Sequence, residues 1–408
     1  MAEPIVGMAL TLAERIDQVF PTLTPAQIAR IGAHGERRPV QPGEILLDVG
    51  DQLRFFVLTE GKIDIVSVSD SNESLIVTLQ PGQFTGEANM LSGRRQFARI
   101  RASEPGEVIE LERDELLRVV QTDSELSDIL MRAFILRRVE LIAHQVGDAV
   151  LVGSNHSAET LRIREFLTRN GYPHAYVDLD RDKDVQQLLD RFHVGFDEIP
   201  VVICRGQLVL RNPTTRQIAD CLGFNEAIDR SHVRDLVVVG AGPAGLAAAV
   251  YGASEGLDLL VLETDAPGGQ AGSSSKIENY LGFPTGISGQ ELAARAYTQA
   301  QKFGAEIVIA KCAKHLACDR KPYAIEMDDG QSVPARAVII ATGAVYRRLS
   351  VDNASKFEGA GIYYGATFVE SQLCRDEEVV VVGGGNSAGQ AAVFLAQTSN
   401  CVHLLVRG

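Results

Sequence analysis

The chain has 408 residues, 45% hydrophobic and 23% charged, an ordinary globular composition with length for several packed domains. A formal net charge of −14 repels phosphate backbones, so a nucleic-acid partner is not expected. No apolar run reaches the roughly 18 residues of a membrane span and the N-terminus has no signal-peptide core, so no membrane partner and a cytoplasmic location are expected.

From Arg37 to about Leu111, short alternating apolar segments are punctuated by glycine, as in "QPGEILLDVGDQ" and "SLIVTLQPGQFTGEANML". The spacing predicts a small β-barrel or sandwich. Leu126, Leu130, Ala133, Phe134 and Leu141 then recur at helical spacing, which predicts one or two closing helices. Their stripe suits a core face and leaves a dimer seam open.

Residues 10–145 resemble a cyclic-nucleotide-binding domain, a β-roll followed by helices, with Gly43, Gly50, Gly61 and Gly82 at the turns. In that family a "G-E-x-A-x-L" cassette presents amides to the cyclic phosphate, a glutamate holds the ribose and an arginine neutralises the phosphate. Gly86, Glu87 and Ala88 match the cassette. The phosphate arginine is replaced by Gln96 and its small neighbour by Phe97; Arg95 or Arg99 could compensate only along a different loop path. A structural or protein-contact role is therefore expected ahead of a cyclic-nucleotide partner.

Residues 148–225 alternate strand and helix patterns in the order βαβαββα, with Ser157 as a helix N-cap, a helix over "DVQQLLDRFHV", and a last helix from Thr214. The order is similar to the thioredoxin and glutaredoxin fold, and Pro200 in "EIPVV" matches the proline that is usually cis there. Asn155, His156 and Ser157 stand where that family carries its C-x-x-C, so dithiol exchange is not expected in this unit. His156 reads as a surface residue.

"DLVVVGAGPAGLAAAVYGASEGLDLLVLE" supplies a strand, a G-x-G-x-x-G turn at Gly240, Gly242 and Gly245 with Pro243 and Ala244 between, a small-residue helix, a second strand and Glu263. The glycines allow a tight turn, close approach to a pyrophosphate and helix–strand packing, and the acid accepts ribose hydroxyls. A second turn follows "EEVVVV", with Gly383, Gly385, Asn386, Ser387 and Ala388, and Arg407 ends the next strand. Arginine there suits a 2′-phosphate, favouring NADPH over NADH; the alternative is that it merely faces solvent.

Residues 233–408 resemble the thioredoxin reductase branch of the flavoprotein disulfide oxidoreductases, through both turns, "GGQAGSSSKIENYLGFP" and "VIIATGA". The resemblance implies FAD along Gly269, Gln270 and Asn279, covered by Thr342, Gly343 and Ala344, and a homodimer. It implies an FAD domain at 232–347 and an NAD(P)H domain at 348–408. It also implies that both domains continue beyond Gly408, so weak FAD retention and poor NADPH binding are expected of 408 residues.

The branch's redox C-x-x-C falls on Gly365, Ala366, Thr367 and Phe368, where no thiol stands. The six cysteines, Cys204, Cys221, Cys312, Cys318, Cys374 and Cys401, contain no C-x-x-C, and Cys374 alone could make only a mixed disulfide. The expected function is an FAD-dependent oxidoreductase passing hydride from NADPH to FAD and on to a small-molecule or protein acceptor. No catalytic side chain and no metal site is identified. The rival is a redox-sensing regulatory module, without turnover, in which degenerate domains recognise partners.

Overall fold

The computed structural model describes residues 17–407 apart from 70–71, 88, 93–94, 97, 144–148, 181–193, 196–197, 205–207, 275, 345–347, 360 and 367. Ala88, Phe97, Thr367 and most of the helix expected over "DVQQLLDRFHV" lie outside the described residues.

The N-terminal unit pairs two antiparallel sheets. One has the order β1 (Glu36–Val40), β7 (Gly106–Leu111), β3 (Phe55–Glu60). The other runs β2 (Ile45–Leu47), β6 (Arg99–Ala102), β4 (Ile63–Ser69), β5 (Asn72–Leu79). Alternation in "FFVL" explains the layering: Phe56 and Leu58 enter the core between the sheets, while Phe55 and Val57 face helices. Those helices are Pro25–Gly32, Arg113–Thr122 and Ser124–Ala143. Leu126, Leu130, Ala133 and Phe134 are buried in this second core, so the stripe read from the sequence is a core face.

The middle unit is a four-stranded sheet in the order β11 (Leu208–Arg211), β10 (Val201–Cys204), β8 (Ala149–Gly153), β9 (His174–Asp178). Only β8 and β9 are parallel. Helix Ala158–Arg169 starts at Ser157, whose hydroxyl accepts the Thr160 amide, and helix Thr215–Cys221 starts in a capping box of Thr214 and Gln217. The Ile199–Pro200 peptide is cis.

The C-terminal part is built on a six-stranded sheet in the order β14 (Glu306–Val308), β13 (Leu259–Leu262), β12 (Arg234–Val239), β17 (Ser332–Ile340), β16 (Tyr323–Met327), β15 (Ala313–Ala317). The first four strands are parallel. Helices Pro243–Ser254 and Gly289–Lys302 pack together over the sheet, in the Rossmann manner. Beyond them β18 (Glu378–Val382) and β19 (Cys401–Leu405) form a separate parallel pair joined by helix Asn386–Leu395.

The middle unit and the Rossmann sheet share one core. A continuous apolar cluster runs from Leu151, Phe166 and Phe224 to Leu236, Leu246 and Ile307. Phe166 stacks on Phe224 with ring centres 5.7 Å apart. The N-terminal unit also touches the Rossmann part, where Gln121 Nε2 donates to the Lys302 carbonyl at 3.0 Å. No described helix is long and apolar enough to cross a membrane.

Candidate functional site: a cleft over the first glycine turn

The first turn has the backbone its glycines require. Gly240 sits at φ +102°, and a Cβ there would lie 2.4 Å from the Ala341 carbonyl oxygen. A Cβ at Gly245 would lie 1.8 Å from the Gly240 oxygen, so this glycine lets helix and turn interlock. Gly242 is different: the nearest atom to its virtual Cβ is Gly269 Cα at 3.9 Å. Its missing side chain leaves room on the cleft side, at the start of helix Pro243–Ser254, which no side chain caps.

Glu263 ends up beside that turn because β13 runs parallel to β12. Its Oε2 accepts the Ala241 amide at 2.6 Å and its Oε1 accepts the Asp265 amide at 2.9 Å. Each oxygen keeps a lone pair for a further donor. Burial pushes the Glu263 carboxyl above the ordinary range, opposed by those amides.

These groups line a cleft of about 890 Å³. Of the residues expected along FAD, Gly240, Gly242, Pro243, Glu263, Gly269, Gln270, Thr342, Gly343 and Ala344 line it. The Gln270 side-chain amide donates to the Ala344 carbonyl. Ala244 and Gly245 are not among the lining residues; Gly245 lies beneath the turn. Asn279 is also absent from the lining and is exposed. The bridge between Ile277 and Ile287 closes the 278–286 loop outside the cleft.

The opposite wall is not visible in the sequence pattern. Helix Ala158–Arg169 of the middle unit contributes Leu161, Arg162, Glu165 and Arg169. Arg169 donates to Asp265 Oδ2 and to the Gly269 carbonyl, both at 2.9 Å. Burial raises the Glu165 carboxyl, with Arg169 opposing.

The second turn lies apart from this cleft. Gly383 sits at φ +148°, and Gly385 precedes helix Asn386–Leu395 with nothing within 4 Å of a virtual Cβ. Asn386, Ser387 and Arg407 are exposed, and Ala388 is half-buried. Between the turns, Gly365 and Ala366 stand in the expected dithiol position, and Gly365 lines the cleft. The nearby Cys374 thiol is pushed up by burial and by Glu370 and Glu377. Among the described residues no cluster of three metal-ligating side chains occurs.

In the N-terminal unit, Gly86 adopts φ +96° and Glu87 is buried. Glu87 faces Arg138 Nη1 at 3.4 Å, and its Oε1 has no partner. Gln96 turns back to the Ala98 carbonyl. Arg99 is bound by Asp48 and Glu73, and Arg95 donates to the Gly50 carbonyl, so both candidate substitutes for the phosphate arginine are engaged elsewhere. Arg137 lies between Phe20 and Phe84, 4.8 and 4.7 Å from their ring centres, and burial lowers its pKa to about 9.

Comparison with known proteins matches residues 234–408 to the pyridine nucleotide-disulphide oxidoreductase family and residues 37–123 to the cyclic nucleotide-binding domain. Thioredoxin reductase of Ureaplasma parvum is 40% identical over 173 residues, 42% of this chain and 55% of that protein. The Bacillus subtilis enzyme is 37% identical over 175 residues, 43% of this chain and 54% of that protein. NADPH-dependent thioredoxin reductase 3 of Arabidopsis thaliana is 32% identical over 217 residues, 50% of this chain and 41% of that protein. The chain thus spans about half the length of the curated relatives it matches. Among solved structures, T. acidophilum thioredoxin reductase aligns at 33% identity and a TM-score of 0.40, covering 43% of this chain and 56% of that one.

Proposed function

We propose that the chain is an FAD-dependent oxidoreductase of thioredoxin reductase type, drawing electrons from NADPH and delivering them to an acceptor other than an internal C-x-x-C disulfide. The observation that carries this reading is the Gly242 cradle beside Glu263, whose carboxylate is held by two backbone amides.

The residues fit an adenine dinucleotide. The open side of Gly242 and the uncapped helix start suit a pyrophosphate, and Glu263 suits the adenylate ribose hydroxyls. Gly269, Gln270 and the Thr342–Ala344 segment border the remaining length of the cleft. Bound FAD would supply the two-electron chemistry, and the protein contributes position, charge and exclusion of water. Gly383, Gly385, Asn386, Ser387, Ala388 and Arg407 would hold the nicotinamide dinucleotide, with Arg407 selecting the 2′-phosphate and NADH the weaker donor. The middle unit is thioredoxin-like in its strand order but carries no dithiol, and the protein works in the cytoplasm as a homodimer.

Anaerobic titration with NADPH, followed in the visible flavin band, tests this reading. Bleaching supports it; bound flavin that stays oxidised sinks it. One observation favours a second reading, a redox sensor: Glu87 pairs with Arg138, and Arg99 and Arg95 are bound to Asp48, Glu73 and the Gly50 carbonyl, so neither Arg95 nor Arg99 is offered to a cyclic phosphate. Flavin reduction that stalls after one equivalent and shifts oligomeric state would select it.

A further inference from the structure

We propose that Arg169, from the thiol-free middle unit, is a phosphate-binding residue of the dinucleotide cleft, so that the cofactor site is composite and built from two folding units. This rests on reading the cleft as the adenine-dinucleotide site and extends it to a residue outside the Rossmann part.

The placement carries the argument. Helix Ala158–Arg169 lies along the cleft wall, with its first residue packed so closely on the 348–365 segment that a Cβ at Gly359 would sit 2.5 Å from Ala158 Cβ. Its last residue, Arg169, reaches Asp265 at one end and the Gly269 carbonyl at the other. Asp265 lies two residues beyond the ribose acid Glu263, and Gly269 Cα is the nearest atom to the virtual Cβ of Gly242. The guanidinium therefore lies between the ribose position and the pyrophosphate turn.

Charge gives it a task. The lining carries Glu165, Glu263, Asp265, Glu358 and Glu370, and a pyrophosphate adds two further negative charges. The other lining cations also have acid partners. Lys311 is paired with the nearly buried Asp329 at 2.8 Å, Arg348 with Glu358, and Arg162 with Glu159 and the Pro213 carbonyl. Arg169 has Nε buried without a partner. Its acid partners are Asp265 at 2.9 Å and Glu165 at 3.5 Å, whose side chains are 46% and 40% exposed. A planar fork whose acid partners both face solvent can exchange them for a phosphate, whose bidentate geometry it matches.

The test measures FAD and ADP binding to the full chain for the native protein, R169Q, R169K and D265N. Native protein should bind both, and R169Q should weaken both about tenfold or more, with a shallower dependence on salt. R169K should recover part of the loss. D265N removes the competing acid while leaving the cation, and should tighten both ligands. A purely structural Arg169–Asp265 link predicts that D265N weakens binding alongside R169Q, and that result overturns the proposal. Equal binding by native protein and R169Q also overturns it while leaving the flavin reading intact. ADP bound in an Arg169-dependent way without FAD uptake would sink the flavin reading and uphold the phosphate role, and failure of the native protein to bind either ligand would sink both.

Discussion

The two glycine-rich turns use nearly the same letters and end up in different physical states. The first is driven into a six-stranded sheet, where Val237 and Val238 are fully buried and backbone oxygens fill the space a Cβ would need at Gly240 and Gly245. The second rests on a two-stranded sheet in which Val380, Val382, Leu404 and Leu405 are exposed. Nothing lies within 4 Å of a Cβ at Gly385. A fingerprint specifies a local turn, and the surrounding packing decides how rigid that turn is. A dinucleotide would meet the first turn buttressed by surrounding backbone, and the second with open space around Gly385.

The largest expected effect separates the turns by sterics. Gly245→Val places branched carbon against the Gly240 carbonyl, 1.8 Å from the virtual Cβ, and should cost more than about 3 kcal/mol, seen as lost soluble protein or a collapsed urea midpoint. Gly385→Ala, at φ −89° and in open space, should shift stability by less than about 0.5 kcal/mol. Equal damage from both would break the comparison.

Gly242→Val sharpens it by separating folding from binding. The side chain enters the cleft without striking the fold, so the urea midpoint should hold while FAD affinity falls about a hundredfold or more, read by flavin fluorescence. A coincident loss of stability would mean that Gly242 is structural.

Glu263→Gln comes next. Losing a charged acceptor for ribose hydroxyls should weaken FAD by about 1.5–3 kcal/mol, roughly ten- to a hundredfold in Kd. The pH dependence has a definite sign. Burial raises the Glu263 pKa in the folded state, so its contribution to apo stability is fully present below the unfolded carboxylate pKa and is lost as pH rises through the raised value. Across that window the melting temperature of the native protein should fall with rising pH relative to that of E263Q.

How far the site was legible follows from where its parts lie in the chain. Gly240, Gly242, Gly245 and Glu263 sit within one βαβ unit, so their chemistry is written at fixed spacing. Ser157 and Thr214 announced their helices because an N-cap is a local device. Arg169 carried no such signal, since its partners Asp265 and Gly269 lie 96 and 100 residues away. The apolar cluster shared by the middle unit and the Rossmann sheet brings its helix there, and an apolar face does not state which sheet it will cover. Asn279 shows the converse: it belongs to a local motif, but it is exposed and outside the cleft lining, in the loop that the Ile277–Ile287 bridge closes. The β-sheet pattern of the N-terminal unit could be read, whereas the engagement of Glu87 by a helix arginine 51 residues later could not.

A smaller, stabilising effect tests the second turn itself. Gly389 lies inside helix Asn386–Leu395, and a Cβ there meets nothing within 4 Å. Alanine removes backbone freedom from the unfolded chain without crowding the folded one, so Gly389→Ala should stabilise this helix by about 0.5–1 kcal/mol. The gain should be local, appearing as slower amide exchange in residues 386–395 while the first sheet exchanges as before. If the second turn already shared the rigidity of the first, protection would instead rise across both sheets together. A rise confined to the helix would place the two turns in separate cooperative units.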